Sequence, residues 1–288
     1  MRTTPTDGVL LVDKPAGMTS HDVVAVVRRA LHTRRVGHTG TLDPFATGLL
    51  VVLIGRATRL AQFVDDEPKV YDATIEFGRE TTTDDLTGET TRQANPPAAS
   101  DIDRGVRELT GQIEQRPPDY SAKKLGGRRA YAAARAGEPL DLPPASIFVR
   151  EWLVRHRTST TLDVTITCGG GTYVRALARD LGRLTGSAAH LTALRRTRSG
   201  VFDVARAISV SALGEEHPPA LLPLRSAIPH LATRRVADAE LRRVQHGNVV
   251  DAEGDASLVA LVDDDGELVA LAEREGAVLR PRVVVRDA

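Results

Sequence analysis

Val23, Val26, Val27, Ala30 and Leu31 recur at i, i+3, i+4, i+7 and i+8, the apolar stripe of an amphipathic helix. Thr19 and Ser20 stand ready as N-caps, and Asp22 sits three residues after Thr19 in the capping-box position. Ahead of that helix, Gly8 to Val12 is an aliphatic run that predicts a short buried strand closed by a turn at 13–17. The segment 34–47 is polar and glycine-rich and reads as a loop, and Leu49 to Ile54 reads as a second buried strand. From 71 to 77 the chain alternates Tyr, Ala, Ile and Phe with Asp, Thr and Glu, the period of a half-buried strand. Thr, Asp, Gly and Pro fill 80–98, which predicts a long surface loop, and Ser100 with Asp103 opens a helix ending near Leu109. A strand over 161–168, a break at Gly169, Gly170 and Gly171, and a helix over 173–184 follow.

After Pro223 the texture changes. A helix over 239–245 precedes strands at 257–262 and 268–272, with Asp-Gly at 265–266 as the hairpin turn, and a last strand at 278–285. The pattern divides the chain into a large domain, residues 1–225, and a small, mostly β domain, residues 226–288.

Composition narrows the class. Of 288 residues, 41% are hydrophobic and 26% charged, enough apolar material for a packed core. The longest aliphatic run, Leu49 to Ile54, is far short of the roughly 20 residues a membrane span needs. The opening MRTTPTDG has no apolar stretch of the kind a secretory signal carries, so a cytoplasmic protein is expected. A single cysteine, Cys168, excludes an internal disulfide and a multi-cysteine zinc site. The 38 basic and 38 acidic residues cancel overall but not locally. Residues 61–120 hold 14 acidic against 6 basic side chains, whereas 121–200 hold 14 basic against 5 acidic. That second block is either a footprint for a phosphate backbone or a solvated basic face.

The densest unusual segment is Gly37-His-Thr-Gly-Thr-Leu-Asp-Pro-Phe-Ala-Thr-Gly48, with one carboxylate, Asp43, at its centre. Pro44 removes a backbone donor and steers Asp43 away from helical angles. Such a loop suits a nucleophile or general base, and equally an Asx turn that caps the next segment. His38 has no neighbouring cysteine and no HExxH spacing, so no metal is expected there. The three glycines at 169–171 suggest a phosphate cradle but lack the GxxxxGK[ST] pattern, and the acidic run at 263–265 reads as turn chemistry.

Six segments resemble, in one order, the bacterial tRNA pseudouridine synthase B (TruB) family: GVLLVDKPAGMTSHDVV, RRVGHTGTLDPFATGLLVVLIGRATRL, KVYDATIEFG, QRPPDYSAKKLGGRRAYAAARAG, GGGTYVRALARDLG and LTALRRTRSG. The resemblance spans residues 8–210 or so. It implies an α+β fold with a mixed or antiparallel central sheet, flanking helices and a small PUA-like RNA-binding domain at the carboxy terminus. It implies isomerisation of uridine 55 in the T-loop of tRNA, by a monomer acting alone, without guide RNA, metal or cofactor. On matching positions Asp43 becomes the catalytic carboxylate, and Arg175 the cation that keeps it ionised. Tyr71 would stack on the flipped uracil with its phenol near C5, and Tyr173 and Leu194 would line the pocket. His38 would pack into the opened T-loop, and Lys14 would brace a loop. The rival reading from another class is a non-catalytic tRNA-binding or folding factor, which would have no use for Asp43.

Overall fold

The structure, a computed structural model, describes residues 7–64, 67–214 and 219–286. The chain divides into two compact units. One comprises Met1–Pro44, Leu49–Asp66 and Val204–Ala288, the other Phe45–Gly48 and Glu67–Asp203.

The first unit begins with β1 (Gly8–Lys14), buried along almost its whole length. Helix α1 (Ser20–Ala30) starts as its sequence dictates: Thr19 Oγ1 accepts from the Asp22 amide at 3.1 Å, and Asp22 Oδ2 accepts from the Thr19 amide at 2.8 Å. Its buried face is Val23, Val24, Val27 and Ala30, with Val24 rather than Val26 completing the stripe. The expected loop after α1 contains a strand, β2 (Val36–Thr39), which runs antiparallel to β3 (Thr47–Ile54) from Val36 opposite Ile54 to Thr39 opposite Val51. Its glycine and polar residues mask it, yet β3 is buried from Gly48 to Ile54 and its backbone groups need partners on both sides. Leu10, Val12, Val23, Val27, Val36, Leu50, Val52 and Ile54 close one apolar cluster. A 3-10 helix, Gly55–Phe63, follows.

In the second unit β4 (Lys69–Phe77) buries Tyr71, Ala73, Ile75 and Phe77 and turns Asp72 outward, as its alternation predicts. The expected surface loop at 80–98 is only partly one. β5 (Arg79–Thr81) and β6 (Thr90–Gln93) form a hairpin, and Glu80, Thr81, Asp84 and Asp85 are buried. Helix α2 (Ala99–Glu108) leads to β7 (Gly111–Gln115). A small hairpin, β8 (Lys124–Leu125) and β9 (Arg128–Arg129), leads into α3 (Ala130–Arg135). Then come β10 (Ala145–Arg157), β11 (Thr161–Cys168), α4 (Val174–Leu184), β12 (Ala189–Ser199) and β13 (Phe202–Asp203). Strands β7, β10, β11, β4 and β12 pair antiparallel in that order. Thr47 and Gly48 add to β12 in parallel, opposite Arg195 and Arg196, which makes the sheet mixed. Gly48 has φ +100°, and a β-carbon there would come within 2.2 Å of the Arg196 carbonyl oxygen, so only glycine fits.

The chain returns to the first unit with β14 (Ile208–Ser209), parallel to β1. Beyond it β15 (Ala232–Arg235), α5 (Asp238–Gln245), β16 (Val250–Asp251), β17 (Leu258–Val262), β18 (Leu268–Glu275) and β19 (Val278–Val284) build a five-stranded sheet in the order β15-β17-β18-β19-β16. The hairpin expected at Asp264 to Gly266 joins β17 to β18. Val236, Val244, Val259, Leu261, Val269 and Leu279 form its own apolar cluster. Among the described residues no helix is long and apolar enough to cross a membrane.

Candidate active site

Asp43 is half-buried in the turn between β2 and β3, and the residues on both sides of it are pinned. Ser20 Oγ accepts from the Leu42 amide at 2.9 Å and donates to the Leu42 carbonyl at 3.3 Å. On the other side the Pro44 carbonyl accepts from the Gly17 amide at 2.8 Å and from Lys14 Nζ at 3.3 Å. Lys14 is completely buried, and its ammonium also donates to the carbonyls of Met18 at 2.6 Å and Pro15 at 3.0 Å. It is a loop brace, as expected. The turn after β1 and the start of α1 together fix the backbone on either side of one carboxylate, which is what positioned chemistry requires. His38 lies on β2 opposite Val52, its ring edge-on to His21 with centroids 5.8 Å apart.

The other four expected residues lie in the second unit, on two neighbouring strands and one helix start. Tyr71 on β4 stands opposite Arg196 on β12, and Leu194 stands opposite Ala73, so Tyr71 and Leu194 are diagonal neighbours on the buried face. Tyr173 is the residue before α4, extended at φ −101° and ψ 107°. Its amide donates to Gln115 Oε1 at 2.8 Å, and its carbonyl accepts from Gln115 Nε2 at 3.1 Å. Helix α4 packs against β12 and buries Arg175 near its start. The Arg175 guanidinium donates to the Thr83 carbonyl at 2.7 Å and the Tyr120 carbonyl at 2.9 Å, with Asp85 at 3.9 Å.

Arg175 heads a ladder. Arg179 and Arg183 follow at intervals of four on α4 and reach the strap formed by β5 and the turn after it, residues 80–85. Arg179 Nη1 meets Asp84 Oδ2 at 2.9 Å and Nη2 meets the Arg116 carbonyl at 2.8 Å, while Arg183 Nε meets Glu80 Oε2 at 2.9 Å. Burial pushes the Asp84 carboxyl up to about 6 despite the two arginines beside it. The strap carries acids and threonines that resemble solvent-exposed loop chemistry, but their partners come some 95 residues later. The same ladder corrects the charge reading: Arg175, Arg179 and Arg196 are buried, so part of the basic block 121–200 never faces solvent. Its exposed part includes the β8–β9 hairpin, where Lys123, Lys124, Arg128 and Arg129 all face water, as do Arg135, Arg150, Arg155, Arg183 and Arg198 elsewhere in the block. Arg135 lies 4.7 Å over the ring of exposed Tyr131 beside it.

Two features next to each other on the chain, the glycine run and the single cysteine, are accounted for by local contacts and burial. The glycine run at 169–171 receives a carboxylate of this chain, with the Gly170 amide donating to Glu67 Oε1 at 2.6 Å. Cys168 is buried and its thiol is pushed up to about 11 by burial, so it is no nucleophile. Among the described residues no group of three or more His, Cys, Asp or Glu side chains could hold a metal ion.

Residues 28–174 match the model of the TruB family pseudouridylate synthase N-terminal domain, and residues 175–220 that of the tRNA pseudouridylate synthase B C-terminal domain. The tRNA pseudouridine synthase B of Thermobifida fusca is 46% identical over 96% of this chain and 98% of its own length. That of Mycobacterium tuberculosis is 42% identical over 98% of this chain and 96% of its own. Among solved structures, a Cbf5-Nop10-Gar1 complex aligns with a TM-score of 0.73 at 27% identity, covering 98% of this chain and 86% of that one. An H/ACA RNP bound to a substrate RNA containing 2′-deoxyuridine aligns with a TM-score of 0.71 at 24% identity over 99% and 92%, a likeness of fold.

Proposed function

The chain belongs to the TruB family of pseudouridylate synthases, and we propose on that premise that it isomerises uridine 55 of the tRNA T-loop to pseudouridine with Asp43 as its catalytic carboxylate. The observation that carries this reading is the double clamp around Asp43, Ser20 on Leu42 and Gly17 with Lys14 on Pro44. The reaction breaks the C1′–N1 bond, forms C1′–C5, moves the C5 proton away and returns a proton to N1. Substrate and product are isomers, so the chemistry is redox-neutral and asks for no cofactor. A carboxylate held rigidly serves by attack on C1′ or by promoting loss of the base.

The remaining residues take the roles their chemistry allows. Arg175 is the cation of the catalytic centre, its own position set by the Thr83 and Tyr120 carbonyls. Tyr71 is the platform for the extruded uracil, Tyr173 and Leu194 are the walls that exclude water, and His38 fills the space the base leaves. The exposed hairpin at 123–129 meets the phosphate backbone of the T-stem, and residues 226–288 act as a PUA-like RNA-binding domain that follows the catalytic domain 1–225. The enzyme works as a monomer in the cytoplasm, on tRNA alone.

An unmodified tRNA transcript, incubated with the purified chain and no other RNA, tests all of this. Carbodiimide labelling and primer extension should show a stop at position 55. Asp43→Asn should abolish that stop while tRNA affinity changes by less than about tenfold, or 1.4 kcal/mol. Turnover above a few per cent by the Asn variant would remove Asp43 from the chemistry. Tight binding by wild type without any product would make the chain a tRNA-binding factor instead.

A further inference from the structure

We propose that Gln115 is a positioning residue of the uracil pocket: its side-chain amide sets the backbone of Tyr173, and through it the wall that receives the base. The inference rests on the reading of Tyr173 as a pocket residue. Gln115 is the last residue of β7 and is 1% exposed. Its amide treats Tyr173 as a neighbouring strand would, accepting from the Tyr173 amide and donating to the Tyr173 carbonyl. The Tyr173 side chain makes no capping hydrogen bond to α4, and the Tyr173 carbonyl also accepts from the Leu177 amide, 3.1 Å away, so the Gln115 contact lies at the hinge between extended chain and helix. The two Tyr173 groups also fix which end of the Gln115 amide is oxygen and which is nitrogen. The residues that follow Gln115 are tied to the same helix, Arg116 through Arg179 and Tyr120 through Arg175.

A primary amide is the group that offers a donor and an acceptor in this geometry. Gln115→Glu has the same shape and keeps the acceptor, but as a carboxylate it sets a second oxygen against the Tyr173 carbonyl. A proton on that carboxyl restores the donor. Burial and the facing carbonyl favour that protonation, so the variant carries its own pH-dependent rescue.

Single-turnover rates on saturating tRNA transcript should therefore be measured at pH 6 and pH 8.5, each relative to wild type. Gln115→Glu should be slowed at least about tenfold at pH 8.5 and recover to within about threefold at pH 6, whereas Gln115→Ala should be slowed about tenfold at both. Transcript affinity should stay within about twofold for both variants, because phosphate contacts lie elsewhere. Wild-type rates for Gln115→Ala, or a loss for Gln115→Glu that ignores pH, would overturn the assignment. Hydrogen exchange at the Tyr173 amide separates this from the functional reading: it should accelerate in Gln115→Ala whether or not the wild-type chain makes pseudouridine. Unchanged exchange would refute the clamp itself.

Discussion

The turn that holds Asp43 and the helix start that holds Arg175 solve one problem, a fixed charged side chain, by opposite means. Around Asp43 the work is done by neutral and single-charge contacts to backbone: a serine hydroxyl, a glycine amide and one buried ammonium. Around Arg175 it is done by a row of arginines locked to acids and carbonyls on a distant strap. The first arrangement desolvates a single charge, the Lys14 ammonium, and satisfies it with backbone carbonyls. The second buries several charges, which is tolerated only while every partner stays in place. The Asp43 turn should therefore lose less on removal of one of its neutral contacts than the Arg175 ladder loses on removal of one of its charges.

The sharpest break is Arg179→Met, which strands Asp84 and frees the Arg116 carbonyl; unfolding free energy should fall by about 3–5 kcal/mol, measured by urea titration. A loss under about 1 kcal/mol would show that the ladder is not brittle. Ser20→Ala, on the other side of the comparison, removes one hydroxyl that serves Leu42 twice and should cost about 1–3 kcal/mol. Its turnover should fall with little change in tRNA affinity, since it loosens the Asp43 turn rather than a phosphate contact.

Protonation sharpens the contrast further. Asp84 sits at about 6 in the folded chain against 3.8 ordinarily, so the folded state holds its proton more tightly than the unfolded one. Its contribution to stability is complete below about pH 3.8 and is lost as pH rises through about 6. Thermal melts between pH 4 and 7 should show this declining limb in wild type and lack it in Asp84→Asn. Parallel curves for the two proteins would count against a buried, raised carboxyl. The smallest effect belongs to the surface. Replacing Lys123, Lys124, Arg128 and Arg129 with alanine should leave stability within about 0.5 kcal/mol and flatten the salt dependence of tRNA binding. An unchanged slope would place this hairpin away from the RNA.

The same division explains what could be read from the chain. Helix α1 was legible because its capping box and apolar stripe lie within a dozen residues, and the β17–β18 hairpin because its turn chemistry is local. Asp43 stood out because glycines and a proline crowd round it. Strand β2 was hidden: its glycine and polar residues look like loop, and only the apolar neighbour β3 makes it a strand. The strap at 80–85 was hidden for the same reason on a longer scale, its acids finding their arginines far along the chain. Gln115 carries no sequence signal at all, because its partner lies 58 residues away and the contact is to backbone. Tyr71 and Leu194 become neighbours only through the register of β4 against β12.

The lone thiol has a practical consequence. With Cys168 buried and its thiol raised to about 11, only roughly a few parts in ten thousand would be thiolate near pH 7.5, so alkylating dyes should pass the native protein by. The chain thus comes with a silent background for labelling. One cysteine placed at exposed Leu125 would carry a fluorophore at the tip of the basic hairpin, and its emission would time the arrival of tRNA against the later appearance of product.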